Sequence, residues 1–375
     1  MKKRLISGLI VALSLVLTAG FAFAAVTGQC SNCHTMHYSQ NGEVPAGAEP
    51  DGPWPVLLLG SCMGCHSNTG TATIKTGGIP VVWNTGGGTT DPGTAQSWSG
   101  ANYNLAGGNF FYVSIADSRG HNIDGMYNQD AFLENNPPGY ETARDPSTVR
   151  WSDSYMLTCA GSNGCHGNRN VDRSTYTDGF SASFVAIKGA HHGDDSTIDG
   201  STVAASFRFL GSSALSTYSV LGLEDDDWQQ SAAVDDHNEY KGAITQTDTK
   251  TISYLCSQCH GYFHSEISDQ TPPSSPWTRH PTDTDVMGKG GEYANYNDVV
   301  AAGTYSLEAP VGYVNIPASP RQIVTAGDSP VICLSCHRAH GSPHDDILRW
   351  DYSTMLAGGG GADGTGCFRC HTTKD

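Results

Sequence analysis

Six cysteine pairs, each followed directly by histidine, define the chemistry open to this chain. They are Cys30/Cys33 with His34, Cys62/Cys65 with His66, Cys159/Cys165 with His166, Cys256/Cys259 with His260, Cys333/Cys336 with His337, and Cys367/Cys370 with His371. Twelve cysteines in an exported chain would ordinarily suggest six disulfides. The spacing argues otherwise. Histidine fills only 15 of 375 positions, and a histidine after every pair would arise by chance roughly once in 10^8. In a C-x-x-C-H unit the thiols add to the vinyl groups of haem and the histidine binds iron from one face. The expectation is six covalently attached haem c groups, with no thiol left over.

The third anchor is irregular, with Ala-Gly-Ser-Asn-Gly between Cys159 and Cys165. Its glycines and asparagine allow a bulged loop that still brings both sulfurs to one porphyrin.

Six irons need six further ligands, and nine histidines remain: His37, His121, His191, His192, His237, His264, His280, His340 and His344. His37, His264 and His340 follow an anchor histidine by three or four residues. On a helical turn such neighbours share a face, with β-carbons roughly 5–6 Å apart. They cannot hold one iron from opposite sides, so each would serve a different haem. His121, in Arg-Gly-His-Asn-Ile, and His280, in Arg-His-Pro, are further candidates. The adjacent His191 and His192 would point to opposite sides of an extended backbone and could reach two irons. His237, among Asp235, Asp236, Asn238 and Glu239, reads as surface, and His344 as a weaker candidate in a loop. Met36 and Met63 read as packing residues. The supply covers bis-histidine ligation throughout, which leaves no open iron for a substrate and favours electron transfer over catalysis.

The elements that must position these residues are short. Strand candidates are 79–83, 110–116 and 201–210; helix candidates are 252–267 and 297–302. Between them lie loops rich in the chain's 45 glycines and 18 prolines. The acidic run Glu224 to Asp227 lacks calcium-loop spacing and reads as solvated surface. Only 38% of residues are apolar, a thin supply for a conventional core at this length. Haems would form the core, and the unloaded chain would be unfolded. The fold expected is a mostly irregular, loop-rich multihaem cytochrome c with a few short helices and β-strands.

Lys2, Lys3 and Arg4, the apolar run to Leu17 and Ala22-Phe23-Ala24 read as a secretory signal over residues 1–24, followed by one hexahaem domain over 25–375. The run is shorter than the roughly 20 residues a membrane span needs, so no span is expected after cleavage. The formal charge is −17. Removing Lys2, Lys3 and Arg4 takes it to about −20, which makes nucleic acid a poor partner.

Several segments resemble the extracellular, filament-forming hexahaem c-type cytochromes of metal-reducing bacteria, the OmcS-like nanowire cytochromes. They are CSNCHTMH from Cys30, RGHNI from Arg119, CSQCH-x-x-x-H ending at His264, RHP around His280, CLSCHRAH from Cys333, and the terminal CFRCHTTKD. The third anchor and the His191-His192 pair depart from that pattern. The resemblance implies an exported protein that self-associates head-to-tail at the cell surface. There it would pass electrons to other redox proteins and to extracellular acceptors such as metal oxides. It also implies that His37 crosses to a neighbouring subunit and ligates the haem anchored at Cys333, Cys336 and His337. The alternatives are a monomeric periplasmic or outer-surface electron shuttle, or a multihaem reductase with one open iron.

Overall fold

The computed structural model describes residues 28–39, 42–45, 48, 52–70, 72–84, 105–127, 136–143, 155–187, 207–211, 220–264, 280–285, 287–297, 303–358 and 364–374. The signal segment, His191 and His192 lie outside them, as does most of the helix expected at 297–302. Among the described residues no helix is long and apolar enough to cross a membrane.

Regular structure is sparse because glycine, proline and capping side chains end each element within a few residues. Helix α1 (Cys62–His66) starts where the Ser61 side chain accepts the Met63 amide, and it carries the second anchor. Strands β1 (Ser67–Asn68) and β4 (Trp83–Asn84) pair in parallel; β2 (Ile74–Lys75) and β3 (Ile79–Pro80) form a small antiparallel hairpin. The strand expected at 79–83 is thus split between β3 and β4. The segment 110–116 is not a strand. Asn109 Oδ1 accepts the Phe111 amide at 2.9 Å and caps a 3-10 turn, Phe110–Ser114, instead.

Strands β5 (Thr158–Ala160) and β6 (Gly164–His166) pair in parallel, with Thr158 opposite Gly164 and Ala160 opposite His166. Helix α2 (Gly179–Ile187) packs its small residues Ala182, Ser183 and Ala186 on them, and Ser183 Oγ accepts the Ala160 amide at 3.2 Å. Strand β8 (Val220–Leu223) lies between β7 (Leu210–Gly211) and β9 (Glu239–Tyr240). Helix α3 (Ile252–Ser257) is capped by Thr251 and ends well before 267, so His260 and His264 flank a separate 3-10 turn, Gly261–Phe263. Strands β10 (Thr284–Asp285) and β11 (Pro330–Val331) pair just ahead of the fifth anchor.

Two small apolar clusters do the work of a protein core. One gathers Tyr296, Tyr305, Val311, Tyr313, Val324 and Val331, with Cys370 packed against it. The other gathers Leu210, Tyr240, Ile252, Ile332 and Leu334. Three sequence expectations are corrected here. His237 is fully buried rather than on the surface, because the chain turns inward after the exposed Asp235 and Asp236. The acidic run is also drawn inward: Asp225 is buried, and Glu224 pairs with the buried Arg208. Met36 is 75% exposed and packs nothing, whereas Met63 is buried.

Candidate cofactor cavity

A continuous cavity of about 2660 Å³ runs through the chain, several times the roughly 300–1,000 Å³ of an ordinary ligand pocket. Both cysteines and the histidine of each of the first five anchors line it, together with His121, His264, His280 and His340. None of the twelve cysteines is in a disulfide. Anchors meet through sulfur: the Cys33 and Cys65 thiols interact, as do those of Cys256 and Cys333. Burial raises the Cys65 thiol to about 11 and that of Cys336 to about 12.

The third anchor shows how its long insert is accommodated. With Thr158 opposite Gly164 and Ala160 opposite His166, Cys159 and Cys165 stand side by side on neighbouring strands, about 4.8 Å apart along the hydrogen-bonding direction. The Arg169 guanidinium clamps the insert, donating to the carbonyls of Gly164 and, at 3.2 Å, of Ser162. A side chain at Gly164 would bring its Cβ within 2.5 Å of the Ala160 amide nitrogen, so the loop closes only around glycine.

The histidines share an orientation. Nδ1 donates to a backbone carbonyl at His34 (Val56, 3.2 Å), His66 (Pro80, 2.9 Å), His260 (Pro138, 2.6 Å) and His337 (Asp346, 2.8 Å). The same holds for His121 (Ala339, 2.6 Å) and His280 (Pro281, 3.0 Å). Such a bond fixes the tautomer and leaves Nε2 available to a metal. Burial lowers His260 to about 4 and His340 to about 3, which keeps the rings neutral, the metal-binding form. His264 is oriented differently, through its Nε2, which donates to Asp283 Oδ2 at 2.7 Å. Asp283 also accepts from Thr251 Oγ1 at 2.7 Å and from the Ala243 amide at 3.1 Å.

Three anchor histidines lie opposite a second histidine. Ring centroids are 6.1 Å apart for His121 and His260, 6.3 Å for His166 and His340, and 6.3 Å for His280 and His371. Separations of this size leave room for one metal between the rings, so each pair could hold a haem iron. These pairings join residues far apart in sequence. His121 and His340 are held back to back: the His121 amide donates to the His340 carbonyl at 3.0 Å, and the His340 amide to the Gly107 carbonyl at 2.7 Å. Gly341 bridges both Gly108 and Gly120 beside them. The sixth anchor is fixed by Arg369, which donates to Glu308 at 2.9 Å and to Asn297 at 2.6 Å.

The first and fifth anchors are built alike. Each begins with a 3-10 turn, Cys30–Asn32 or Cys333–Ser335. The anchor histidine then bridges a later leucine, His34 with Leu58 and His337 with Leu348. Two positive-φ residues precede each leucine, Val56 and Leu57 in one case and Asp346 and Ile347 in the other. The amide after each anchor histidine donates to the second of them, Thr35 to Leu57 and Arg338 to Ile347. The repeats differ at the trailing histidine. His340 is half-buried, its ring stacked 4.5 Å from Phe110 and 6.3 Å from that of His166. His37 is exposed, and the 3-10 turn has ended before it rather than carrying it on a helix.

A model of the doubled CXXCH motif matches residues 322–375, the stretch containing the last two anchors. The C-type cytochrome OmcS of Geobacter sulfurreducens is 27% identical over 389 residues, covering 91% of this chain and 84% of that protein. The chain is similar to OmcS over most of its length. Two solved structures are also similar. For the Outer Membrane Cytochrome S filament from Geobacter sulfurreducens the TM-score is 0.46 at 19% identity, over 94% of this chain and 93% of that one. For the OmcS nanowires from the same organism it is 0.48 at 17% identity, over 90% and 88%. The apolar cavity, the paired thiols on its wall and the carbonyl-oriented imidazoles of the OmcS-like chain fit c-type haem.

Proposed function

We propose that this chain carries six covalent haems, each held by two histidines, and transfers electrons along them. The observation that carries this reading is the set of three histidine pairs with ring centroids 6.1 to 6.3 Å apart, each with room for one metal between them. Haem c bound here would supply a one-electron iron couple. The protein's own groups orient the imidazoles through backbone carbonyls, and burial favours the neutral ring at His121, His260, His280, His337 and His340. Ligand pairs are assigned as His166 with His340, His260 with His121, and His371 with His280. The second ligands of the irons at His34 and His66 are left to the remaining candidates, His191, His192 and His264. The sulfur contacts Cys33–Cys65 and Cys256–Cys333 would bring those neighbouring cofactors together edge to edge.

The remaining anchor, His337, is assigned to His37 of a second copy. The two repeated anchors support this, because the trailing histidine is met within the chain in one and turned outward in the other. A contact between two different surfaces propagates as an open helix when its rotation does not close. The OmcS-like chain would therefore polymerise into an extracellular filament that conducts respiratory electrons to acceptors outside the cell. The test combines intact mass, carbon monoxide binding and negative-stain microscopy. Six haems, no carbon monoxide uptake and filaments are expected. His37→Ala should keep six haems but give one high-spin haem and short or absent filaments. Normal filaments with every haem low-spin would remove His37 as the joint.

A further inference from the structure

His237 and Glu239 form a buried acid–base pair that electron transfer by itself does not require. Both side chains are fully buried, with His237 Nε2 3.4 Å from Glu239 Oε1. His237 Nδ1 lies 3.0 Å from the Ala233 carbonyl oxygen. A carbonyl only accepts, so Nδ1 must carry a hydrogen. Nε2 is then bare whenever the ring is neutral, and a bare nitrogen facing a carboxylate sets lone pair against lone pair. The arrangement is satisfied when one proton resides on the pair, as a carboxylic acid or as an imidazolium. Consistent with a site that gains and loses this proton, Glu239 Oε2 and His237 Nε2 are both buried without a hydrogen-bond partner.

The surroundings do not fix the charge of the pair. The Arg321 amide donates to Glu239 Oε1 at 2.5 Å, but the Arg321 guanidinium is engaged by Asp328 and lies over the Tyr313 ring. Tyr305 stacks on His237 with centroids 3.9 Å apart. Asp235 and Asp236 stand on the same turn, and the Lys241 amine is held by Asp248 and the Val314 carbonyl. Tyr305 and Tyr313 belong to the cluster against which Cys370 packs, and Tyr240, next to Glu239, lines the cavity. A charge on the pair would act on the sixth anchor through this low-dielectric tyrosine packing. Burial raises the Glu239 carboxyl, with His237 opposing.

We propose that Glu239 and His237 are a one-proton site coupled to the electron at the sixth anchor. One electron, supplied by the preceding centre, reduces the iron from the ferric to the ferrous state. One proton from solvent then forms a single O–H or N–H bond on the pair, and reoxidation reverses both. This inference rests on the haem reading above. Intact mass therefore comes first, since a chain without six haems fails that reading, whereas a loaded chain can fail this one alone.

The experiment is a spectroelectrochemical titration of the loaded protein between about pH 5 and 8. One haem component should shift by up to about 59 mV per pH unit, the value for one proton per electron. Glu239→Gln should flatten that component and leave the others unchanged. The reduced-minus-oxidised infrared spectrum of wild-type protein should show a carboxyl or imidazole band that moves on isotope labelling of glutamate or histidine. That measurement stands even where the variant does not fold. A slope unchanged in Glu239→Gln, or a difference spectrum without either band, overturns the proposal.

Discussion

Gly341→Ala tests whether two ligands share one backbone junction. An added Cβ would lie 2.5 Å from the Asn109 carbonyl oxygen and 2.9 Å from that of Arg119. Both neighbours are backbone, and comfortable contact begins at about 3.5 Å, so the segments must part by about 1 Å. Metal–nitrogen distances tolerate about 0.2 Å. The shift exceeds this several-fold at His340, the preceding residue, and at His121, whose amide bonds to the His340 carbonyl. Overpacking costs about 1–3 kcal/mol and each weakened backbone bond about 1 kcal/mol, for a total of about 2–4 kcal/mol. Ferric electron paramagnetic resonance and carbon monoxide binding should report two high-spin haems among six, with attachment intact by mass. Gly70→Ala, whose added Cβ would come no closer than 3.6 Å to the Asn68 side chain, should leave every haem low-spin. A Gly341→Ala protein with all haems low-spin and an unchanged denaturation midpoint would refute the shared junction.

Arg169→Ala removes two charge-assisted bonds from the third anchor's loop, each worth about 1.5–3 kcal/mol, and intact mass should show a fraction of chains with five haems. Gly164→Ala should lower loading at the same anchor further, because its Cβ meets backbone. Asp225 is raised to about 8 by burial and by its neighbours Asp227 and Asp236. A carboxyl raised in the folded state stabilises below its unfolded value near 3.8, and that stabilisation is lost as pH rises through 8. Asp225→Asn should therefore raise the melting temperature increasingly from pH 4 to 8, by about 2–4 °C for each kcal/mol relieved; an unchanged pH profile would count against the crowding.

The anchors were legible because attachment chemistry imposes a spacing that survives without any regular element around it. What spacing could not carry was which rings meet. His121 and His260 are brought opposite each other only when the Ala339 carbonyl orients one and the Pro138 carbonyl the other. Loop-rich character followed from glycine and proline, but 110–116 misled because apolar alternation weighs less than the Asn109 cap. His237 and the run from Glu224 were misjudged for one reason: polar sequence marks exposure only when no buried partner exists. Here Glu239 and Arg208 are those partners. The duplicated first and fifth anchors were visible as matching motifs, whereas the difference between their trailing histidines needed burial to emerge.

The cavity also bears on the order of maturation. The wall of the cavity is largely apolar, so without cofactor that surface would face water. A domain's net stability is only about 5–15 kcal/mol, so exposing that wall should weaken neighbouring contacts such as Gly341 with Gly108 and Gly120 until cofactor covers it. An unloaded chain should therefore be more open to proteases than a loaded one. Compactness would then report attachment, a chain that resists digestion being one already charged with cofactor.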